Sequence, residues 1–119
     1  MALAFIGDGV FELLVRERLL QNGTLPAHKL HRLAVRKVKA SAQAQSYDAL
    51  AAILNEQELS ILKRGRNAHI SNVPKSCTPE EYHKATGIES LFGYLYLSGE
   101  LQRLEELYQR MEDTVAEQG

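Results

Sequence analysis

The apolar residues of this 119-residue chain recur with the period of an α-helix over most of its length. Over residues 2–21 they form a stripe on one predicted helix face, whose members are Leu3, Ile6, Val10, Leu13, Leu14 and Leu20. The Asn22-Gly23 pair that follows is a typical helix stop, because glycine readily adopts the left-handed conformation found after a C-cap. The pattern therefore predicts a first helix over residues 2–21.

A second helical stretch is predicted from Thr24 to Leu54. Thr24 is a candidate N-cap, and Pro26 suits the first turn of a helix, where its missing N–H costs no hydrogen bond. Since a run of roughly 28 residues is long for one globular helix, we expect it to break between Ala40 and Ser46.

The third predicted helix begins at Asn55, a good N-cap residue, with Glu58 placed as in a capping box. We expect it to end near Arg64-Gly65. Residues 65–78 carry glycine, asparagine, serine and proline without helical periodicity, which predicts the main loop of the chain.

Two more helices are predicted after this loop. Thr78 and Pro79 combine an N-cap with proline at the first helical position. Helical periodicity then continues to Leu97, with a kink expected at Gly87. Ser98 is expected to cap a last amphipathic helix. Since no segment alternates in the manner of a strand, the predicted fold class is all-α.

Composition limits the setting in which the chain works. Its length suits one domain over residues 1–119, and Cys77, as the single cysteine, excludes an internal disulfide, which favours the cytoplasm. No apolar run approaches the roughly 18 residues of a membrane span, so no membrane association is expected. Because helical periodicity already runs at residue 2 with no cap before it, we expect an N-terminal segment to be missing from the chain.

The net charge of −1 conceals separate basic and acidic blocks. Residues 18–47 and 60–79 contain no acidic residue, whereas acidic residues dominate residues 100–119. Such segregation permits one surface to bind a polyanion, although the same blocks could equally be solvated helix faces. The segment KRGRNAH, residues 63–69, concentrates cations and an amide, which suits phosphate contacts and equally suits the negative end of a helix dipole.

Two carboxylates interrupt apolar helical segments: Asp8 in LAFIGDGVFELLV and Glu89 in ATGIESLFGYLYL. Burying an unpaired carboxylate is costly, so a fold keeps one mainly where a cation or a donor compensates it. Each acid alone could be structural, Asp8 in helix packing or capping, and Glu89 in a pair with a histidine or arginine. Together they predict a divalent metal site, since Mg²⁺ prefers oxygen ligands and, beside a basic surface, supports phosphodiester cleavage.

A further acid and two glycines lie close to Asp8 in the sequence. Glu12 shares the helix face of Asp8 and also precedes Arg16 by one turn. It is therefore either an accessory acid or half of a surface ion pair worth roughly a few tenths of a kcal/mol. Gly7 and Gly9 are poor helix formers, and their small size predicts close approach of another backbone or of a ligand.

Four ordered blocks of the sequence resemble one family. LAFIGDGVFELLVRERLL resembles the signature helix of ribonuclease III catalytic domains, in the form found in the Mini-III subfamily. KRGRNA followed by VPK, IESLFGYLYLSG and RLEEL occur in the same order and spacing as in Mini-III, so the resemblance covers nearly the whole chain. It implies an all-α bundle like the ribonuclease III endonuclease domain. It also implies a homodimer that cleaves double-stranded RNA without a separate double-stranded-RNA-binding domain.

The resemblance further implies a substrate, a cofactor and site residues. The substrate would be a precursor of large-subunit (23S) ribosomal RNA, and the cofactor would be Mg²⁺, with Mn²⁺ as a substitute. A ribosomal protein is a candidate accessory partner that the sequence does not identify. Asp8 and Glu89 match acids that are catalytic residues and metal ligands, and Glu12 is a candidate accessory acid. The residues that match RNA contacts are Lys63, Arg64, Arg66, Asn67 and Lys75.

Several positions depart from the family pattern. Gly9 replaces the usual alanine, and Ile88-Glu89-Ser90 replaces F-E-A. Ala4 and Thr86 stand where larger relatives carry further acids, so waters, phosphate oxygens or Glu12 would have to complete the coordination of a metal. Two alternatives to a nuclease stay open from the sequence: a non-catalytic module on the same fold that binds double-stranded RNA, and a helical protein-interaction bundle.

Overall fold

The computed structural model describes residues 2–21, 23–70 and 72–118, and no β-strand occurs among them. The all-α prediction is confirmed for this part of the chain. Its helices are α1 (Ala2–Gln21), α2 (Ala27–Val38), α3 (Ala40–Ala44), α4 (Tyr47–Ala51), α5 (Glu56–Asn67), α6 (Pro79–Leu97) and α7 (Leu101–Gln118). Within the same residues, no helix is long and apolar enough to span a bilayer.

α6 is the central helix, and α1, α3 and α5 pack against it. Its Phe92 is inaccessible to solvent. The Phe11 ring of α1 meets the Phe92 ring edge-on, with 5.7 Å between centroids. The Phe11 ring also lies 5.7 Å from the Tyr108 ring of α7. These aromatic contacts join three helices in one hydrophobic core.

α1 and α6 cross in direct backbone contact because glycines lie at the crossing. A Cβ atom at Gly7 would collide with the carbonyl group of Glu89, and one at Gly93 would collide with the carbonyl group of Leu3. A larger residue at either position would force the two helices apart, since a packed core does not absorb extra volume. The crossing therefore fixes where Asp8 and Glu89 lie relative to each other.

The buried face of α1 differs from the predicted stripe, although the helix bounds match. Its buried residues are Ala4, Gly7, Phe11, Val15 and Leu19. Leu13 and Leu20, both assigned to the stripe, are instead 56% and 63% exposed. The prediction missed this face because α1 contacts α6 through a glycine. A search for hydrophobic residues does not identify such small residues as part of the core. A Cβ at Gly9 would have no protein atom within 4 Å, so no other backbone approaches this position, and the alternative of a ligand there stays a prediction.

The second helical stretch begins later than predicted and breaks twice. Pro26 takes the N-cap position with extended backbone (φ −57°, ψ 147°) and α2 begins at Ala27, so Thr24 is not the cap. The chain leaves helical geometry at Lys39 (φ −68°, ψ 151°), one residue before the expected window. It is interrupted again at Gln45–Ser46, between α3 and α4, which lies inside the expected window and confirms the predicted break. The segment after α2 therefore forms two short helices, α3 and α4, instead of one longer helix.

The capping box predicted at Asn55 is confirmed, and the predicted N-cap Thr78 forms a second capping box with Glu81. The side chain of Asn55 accepts from the N–H of Glu58 at 2.8 Å, and the Glu58 carboxylate accepts from the N–H of Asn55 at 3.0 Å. Thr78 and Glu81 make the same reciprocal pair at 3.1 and 2.9 Å. Each box satisfies two N–H groups that a helix start leaves free.

α5 and α6 pack through a second pair of glycines, and this packing changes two expectations. α5 does not end near Arg64-Gly65 but continues to Asn67, because Gly65 faces Ser90 of α6 rather than a turn. α6 passes Gly87 without interruption. A Cβ at Gly87 would lie 2.6 Å from the carbonyl oxygen of Leu62, so this glycine serves close helix packing and not a kink.

Ser98 ends α6 and does not start α7, contrary to expectation. Gly99 adopts a left-handed backbone (φ +76°). The N–H of Glu100 then reaches the carbonyl of Leu95 at 2.8 Å, which is the hydrogen bond of a Schellman C-cap. α7 begins only after this turn, at Leu101.

A matched pair of alanine substitutions on α1 tests the glycine crossing. Gly9→Ala should raise the free energy of unfolding by roughly 1 kcal/mol, because alanine favours the helix and the site has room for a methyl group. Gly7→Ala should lower it by about 1–3 kcal/mol, because its Cβ would collide with Glu89. Urea denaturation measures both changes. Effects of the same sign in the two variants would contradict the crossing.

Candidate active site

Asp8 and Glu89 line one open cavity of about 620 Å³. Residues of α1, α6, the α2–α3 junction and the loop between α5 and α6 form its walls. Asp8 directly follows Gly7, and Gly7 packs on the backbone of Glu89. The crossing of α1 and α6 therefore brings together two acids that are far apart in the sequence.

The two carboxyl groups interact with each other. Burial, a hydrogen bond with Asp8 and repulsion from the Asp8 charge together raise the pKa of Glu89 to about 8, whereas a hydrogen bond from Gln43 acts in the opposite direction. Asp8 is exposed and Glu89 is half-buried. Two crowded acids of this kind are the arrangement that a bound cation stabilises, because its charge removes their repulsion.

No cationic side chain neutralises this pair among the described residues. The ion pairs found there use other acids, namely Glu12, Glu58, Glu80, Glu105, Glu106, Glu112 and Glu117. Lys39 and His69 line the same cavity, yet neither is within ion-pair distance of Asp8 or Glu89. The acidic pair is therefore available to a cation from outside the protein.

Gln43 of α3 is a buried residue of this cavity that the sequence pattern did not reveal. It is 1% exposed. Its Nε2 donates to the carbonyl of Val38 at 2.9 Å, which fixes the amide, while its Oε1 is buried without a hydrogen-bond partner. The one signal in the sequence was a polar residue among the alanines of ASAQA, and α3 is too short to show a helix face.

Glu12 lies outside the acidic cavity. Its carboxylate accepts from Arg16 at 2.8 Å, which is the surface ion pair that the spacing allowed. Thr86, at a position where larger relatives carry an acid, lines the cavity and donates its hydroxyl to the carbonyl of Tyr82 at 2.8 Å. Cavity residues that the sequence did not predict also include Lys39, His69, Cys77 and Tyr82.

The residues that match RNA contacts lie outside the cavity, at the end of α5 and in the following loop. Four of these residues are exposed, namely Lys63, Arg64, Asn67 and Lys75. Arg66 is half-buried, with its guanidinium 5.4 Å from the centre of the Tyr47 ring, so it is partly held by a cation–π contact. Both sequence neighbours of Lys75 line the acidic cavity, which brings this loop lysine close to the cavity edge.

The raised pKa of Glu89 predicts how stability depends on pH in EDTA. The folded state retains a proton on Glu89 to about pH 8, whereas an unfolded chain releases it near 4.5. The contribution of this group to stability is therefore complete below about pH 4.5 and is lost as the pH rises through 8. Between pH 6 and 8.5 the melting temperature of the wild type should fall, and that of Glu89→Gln should fall less.

Glu17→Gln is the matched control, because Glu17 is an exposed acid on α1. Its melting temperature should follow the wild type across the same pH range. Parallel curves for the wild type and Glu89→Gln would show that Glu89 is not protonated in the folded state near neutral pH.

Comparisons with known proteins agree with this architecture. Residues 1–100 match the Ribonuclease III domain family. The Mini-ribonuclease 3 of Symbiobacterium thermophilum is 46% identical over 115 residues, covering 97% of this chain and 88% of that protein. The Mini-ribonuclease 3 of Desulfitobacterium hafniense is 42% identical over 118 residues, covering 99% of this chain and 74% of that protein. The crystal structure of protein FN1578 from Fusobacterium nucleatum is similar with a TM-score of 0.82 at 33% identity, covering 89% of this chain and 81% of that one. The chain therefore belongs to the ribonuclease III family, in its Mini-ribonuclease 3 branch, and is an endoribonuclease.

Proposed function

We propose that this protein cleaves double-stranded RNA with the help of a divalent cation, and that residues 1–119 form one catalytic domain. Asp8 and Glu89 are its catalytic residues and metal ligands. The observation that carries the proposal is the acidic pair, two interacting carboxyl groups in an open cavity with no cationic partner among the described residues. Membership of the ribonuclease III family, whose enzymes act on double-stranded RNA, supports it.

The donor atoms around the pair suit Mg²⁺, with Mn²⁺ as a substitute. Both acids offer hard oxygen ligands, and the buried oxygen of Gln43 is a further donor of the same kind that lacks a partner. Mg²⁺ usually keeps several waters when one or two carboxylates hold it, and the cavity has room for waters and a phosphate group. Glu12 becomes an accessory acid only if its ion pair with Arg16 opens.

The protein's part in the reaction is to hold the cation and to orient the RNA phosphate. A bound divalent cation supplies an activated water and offsets the charge that builds up on the phosphate. Asp8 and Glu89 hold that cation from two rigid helices, α1 and α6. Lys39 lines the same cavity, where its ammonium group can bind a phosphate oxygen next to the cleaved bond.

The RNA backbone contacts lie beside this cavity. We assign them to Lys63, Arg64, Arg66, Asn67 and Lys75. Cations and amides of this kind bind phosphates and ribose hydroxyls without reading base sequence, so the duplex is recognised by its A-form shape. The loop that carries Lys75 also forms a wall of the cavity, which connects backbone binding with the position of the phosphate to be cut.

The enzyme works as a homodimer in this proposal. Phe5 lines the acidic cavity and is 82% exposed, and Leu13 on the same helix is 56% exposed. Exposed apolar residues on a helix beside an active site favour burial against a second copy. A two-fold dimer would present one site to each strand of an antiparallel duplex.

The biological substrate in this proposal is a precursor of 23S ribosomal RNA, processed in the cytoplasm. The resemblance of the chain to Mini-III proteins supports this assignment. Backbone recognition alone gives little sequence selectivity, so in this proposal a ribosomal protein is the accessory partner that presents the correct duplex.

The cleavage proposal is tested with Asp8→Asn and Glu89→Gln. Each variant should lose Mg²⁺-dependent cleavage of duplex RNA by at least about a hundredfold, because one ligand of the cation is removed, while circular dichroism remains unchanged. Glu17→Gln should cleave like the wild type. Full activity in either site variant would refute the metal assignment. A wild type that binds several duplexes but cuts none with Mg²⁺ or Mn²⁺ would favour the non-catalytic module.

The dimer proposal is tested with two substitutions of equal exposure. Leu13 and Leu101 are 56% and 57% exposed, on α1 and α7 respectively. Leu13→Asp should convert the protein to a monomer, because a charge would be buried at the interface, whereas Leu101→Asp should not. Light scattering after size exclusion gives the mass. A monomeric wild type, or a dimeric Leu13→Asp variant, would contradict this interface.

A further inference from the structure

The amide of Gln43 contacts both the acidic pair and the end of α2. Its side chain is 1% exposed and forms part of the wall of the acidic cavity. Its Nε2 donates one N–H to the carbonyl of Val38 at 2.9 Å. Burial raises the pKa of Glu89, and a hydrogen bond from the same amide to the Glu89 carboxyl group opposes that shift. Because a primary amide carries two N–H groups, Gln43 can hold both acceptors at once.

Packing alone does not explain a glutamine at this buried position. Its Oε1 is enclosed without a hydrogen-bond partner among the described residues, and a buried acceptor without a partner lowers stability. The other residues of α3 are alanines and a serine. An apolar side chain of similar volume would fill the same space without that cost. Since incompletely bonded buried polar groups are typical of functional sites, the acidic cavity is the better explanation for Gln43.

Asp8 and Thr86, two other neighbours of Glu89 in the cavity, do not supply a lasting hydrogen bond to its ionised carboxylate. A carboxylate that binds a cation has lost its proton, so two ionised acids can no longer share a hydrogen bond. The hydroxyl of Thr86 donates instead to the carbonyl of Tyr82 at 2.8 Å. The amide of Gln43 keeps its N–H groups whether or not the acids are charged, so its contact persists in the ionised site.

We propose that Gln43 is a positioning residue, whose amide holds the Glu89 carboxylate in the orientation in which that carboxylate binds the divalent cation. The inference rests on the proposed function, since Glu89 is a ligand only if the acidic pair binds a metal. The hydrogen bond to Val38 fixes the amide. Its second N–H then restricts a glutamate side chain that would otherwise sample several rotamers. Hydrogen bonds of this kind orient metal ligands and increase metal affinity.

Mn²⁺ binding to the RNA-free protein tests this role without cleavage, and the electron paramagnetic resonance signal of free Mn²⁺ measures it. Gln43→Met keeps a side chain of similar length and removes both N–H donors. It should bind Mn²⁺ roughly tenfold more weakly than the wild type, because Glu89 loses its fixed orientation. In cleavage assays the Mg²⁺ concentration for half-maximal rate should rise by a similar factor. The KM for duplex RNA at saturating Mg²⁺ should stay unchanged, because the buried amide acts on the metal ligand.

Gln45→Met is the matched control, because Gln45 is an exposed glutamine two residues further along the chain. Its Mn²⁺ affinity should equal that of the wild type. A folded Gln43→Met variant with wild-type Mn²⁺ affinity would show that the amide only joins α2 to α3, and would overturn the inference alone. Equal Mn²⁺ binding by the wild type and Asp8→Asn would instead overturn the proposed metal site, and the inference with it.

Nuclear magnetic resonance of the wild type keeps the inference testable if Gln43→Met does not fold. The side-chain amide signals of Gln43 should shift when Mg²⁺ binds, because the carboxylate that they contact then carries a cation. Those of the exposed Gln45 should not shift. Unchanged Gln43 signals in a protein that binds Mg²⁺ would overturn the inference.

Discussion

The backbone contact between α1 and α6 at Gly7 and Gly93 is the constraint on which the rest of the structure depends. Two helices approach this closely only where side chains are absent, because any Cβ at these positions would meet a carbonyl group of the other helix. The contact places Asp8 beside Glu89 and so creates the acidic cavity. The ligands of the proposed metal therefore stand on rigid helices, and their separation is set by core packing rather than by loops.

The acidic cavity holds two carboxyl groups that no cationic side chain among the described residues neutralises, whereas acids elsewhere in the chain form ion pairs. Glu89 is buried enough beside Asp8 to raise its pKa to about 8. On another side of the molecule, Arg103 of α7 donates to both oxygens of Glu58 at 2.9 Å and to the carbonyl of Ile53 at 2.9 Å. Those bonds lower the pKa of Glu58 and join α7 to α5. Enzymes commonly concentrate destabilising groups at the functional site and offset them in the scaffold.

The near-zero net charge conceals two sets of charged residues: those in ion pairs that support the fold, and those that are exposed and unpaired in the described part of the chain. Most acids of α7 are partners of basic residues: Glu112 binds Lys37 at 3.1 Å and Glu105 lies 3.7 Å from Arg18, for example, whereas Asp113 accepts from Gln109. The exposed cations Lys29, Arg32 and Arg36 of α2, and Lys63 and Arg64 near the end of α5, form no ion pair among the described residues. A chain with an average charge close to neutral can therefore still present a positive surface to RNA around a negative cavity.

The sequence by itself determined what depends on local chemistry. The capping boxes at Asn55 and Thr78 were predictable because their hydrogen bonds close within four residues. Asp8 and Glu89 could be selected as candidates because charge interrupts apolar helices. Only the tertiary structure decided which face of α1 is buried, that Gln43 joins the cavity, and that Glu12 stays outside it. These outcomes depend on how helices that are distant in the sequence cross each other. At the crossing of α1 and α6 the contact is possible because glycines have no side chain, and a local hydrophobic pattern does not reveal such a contact.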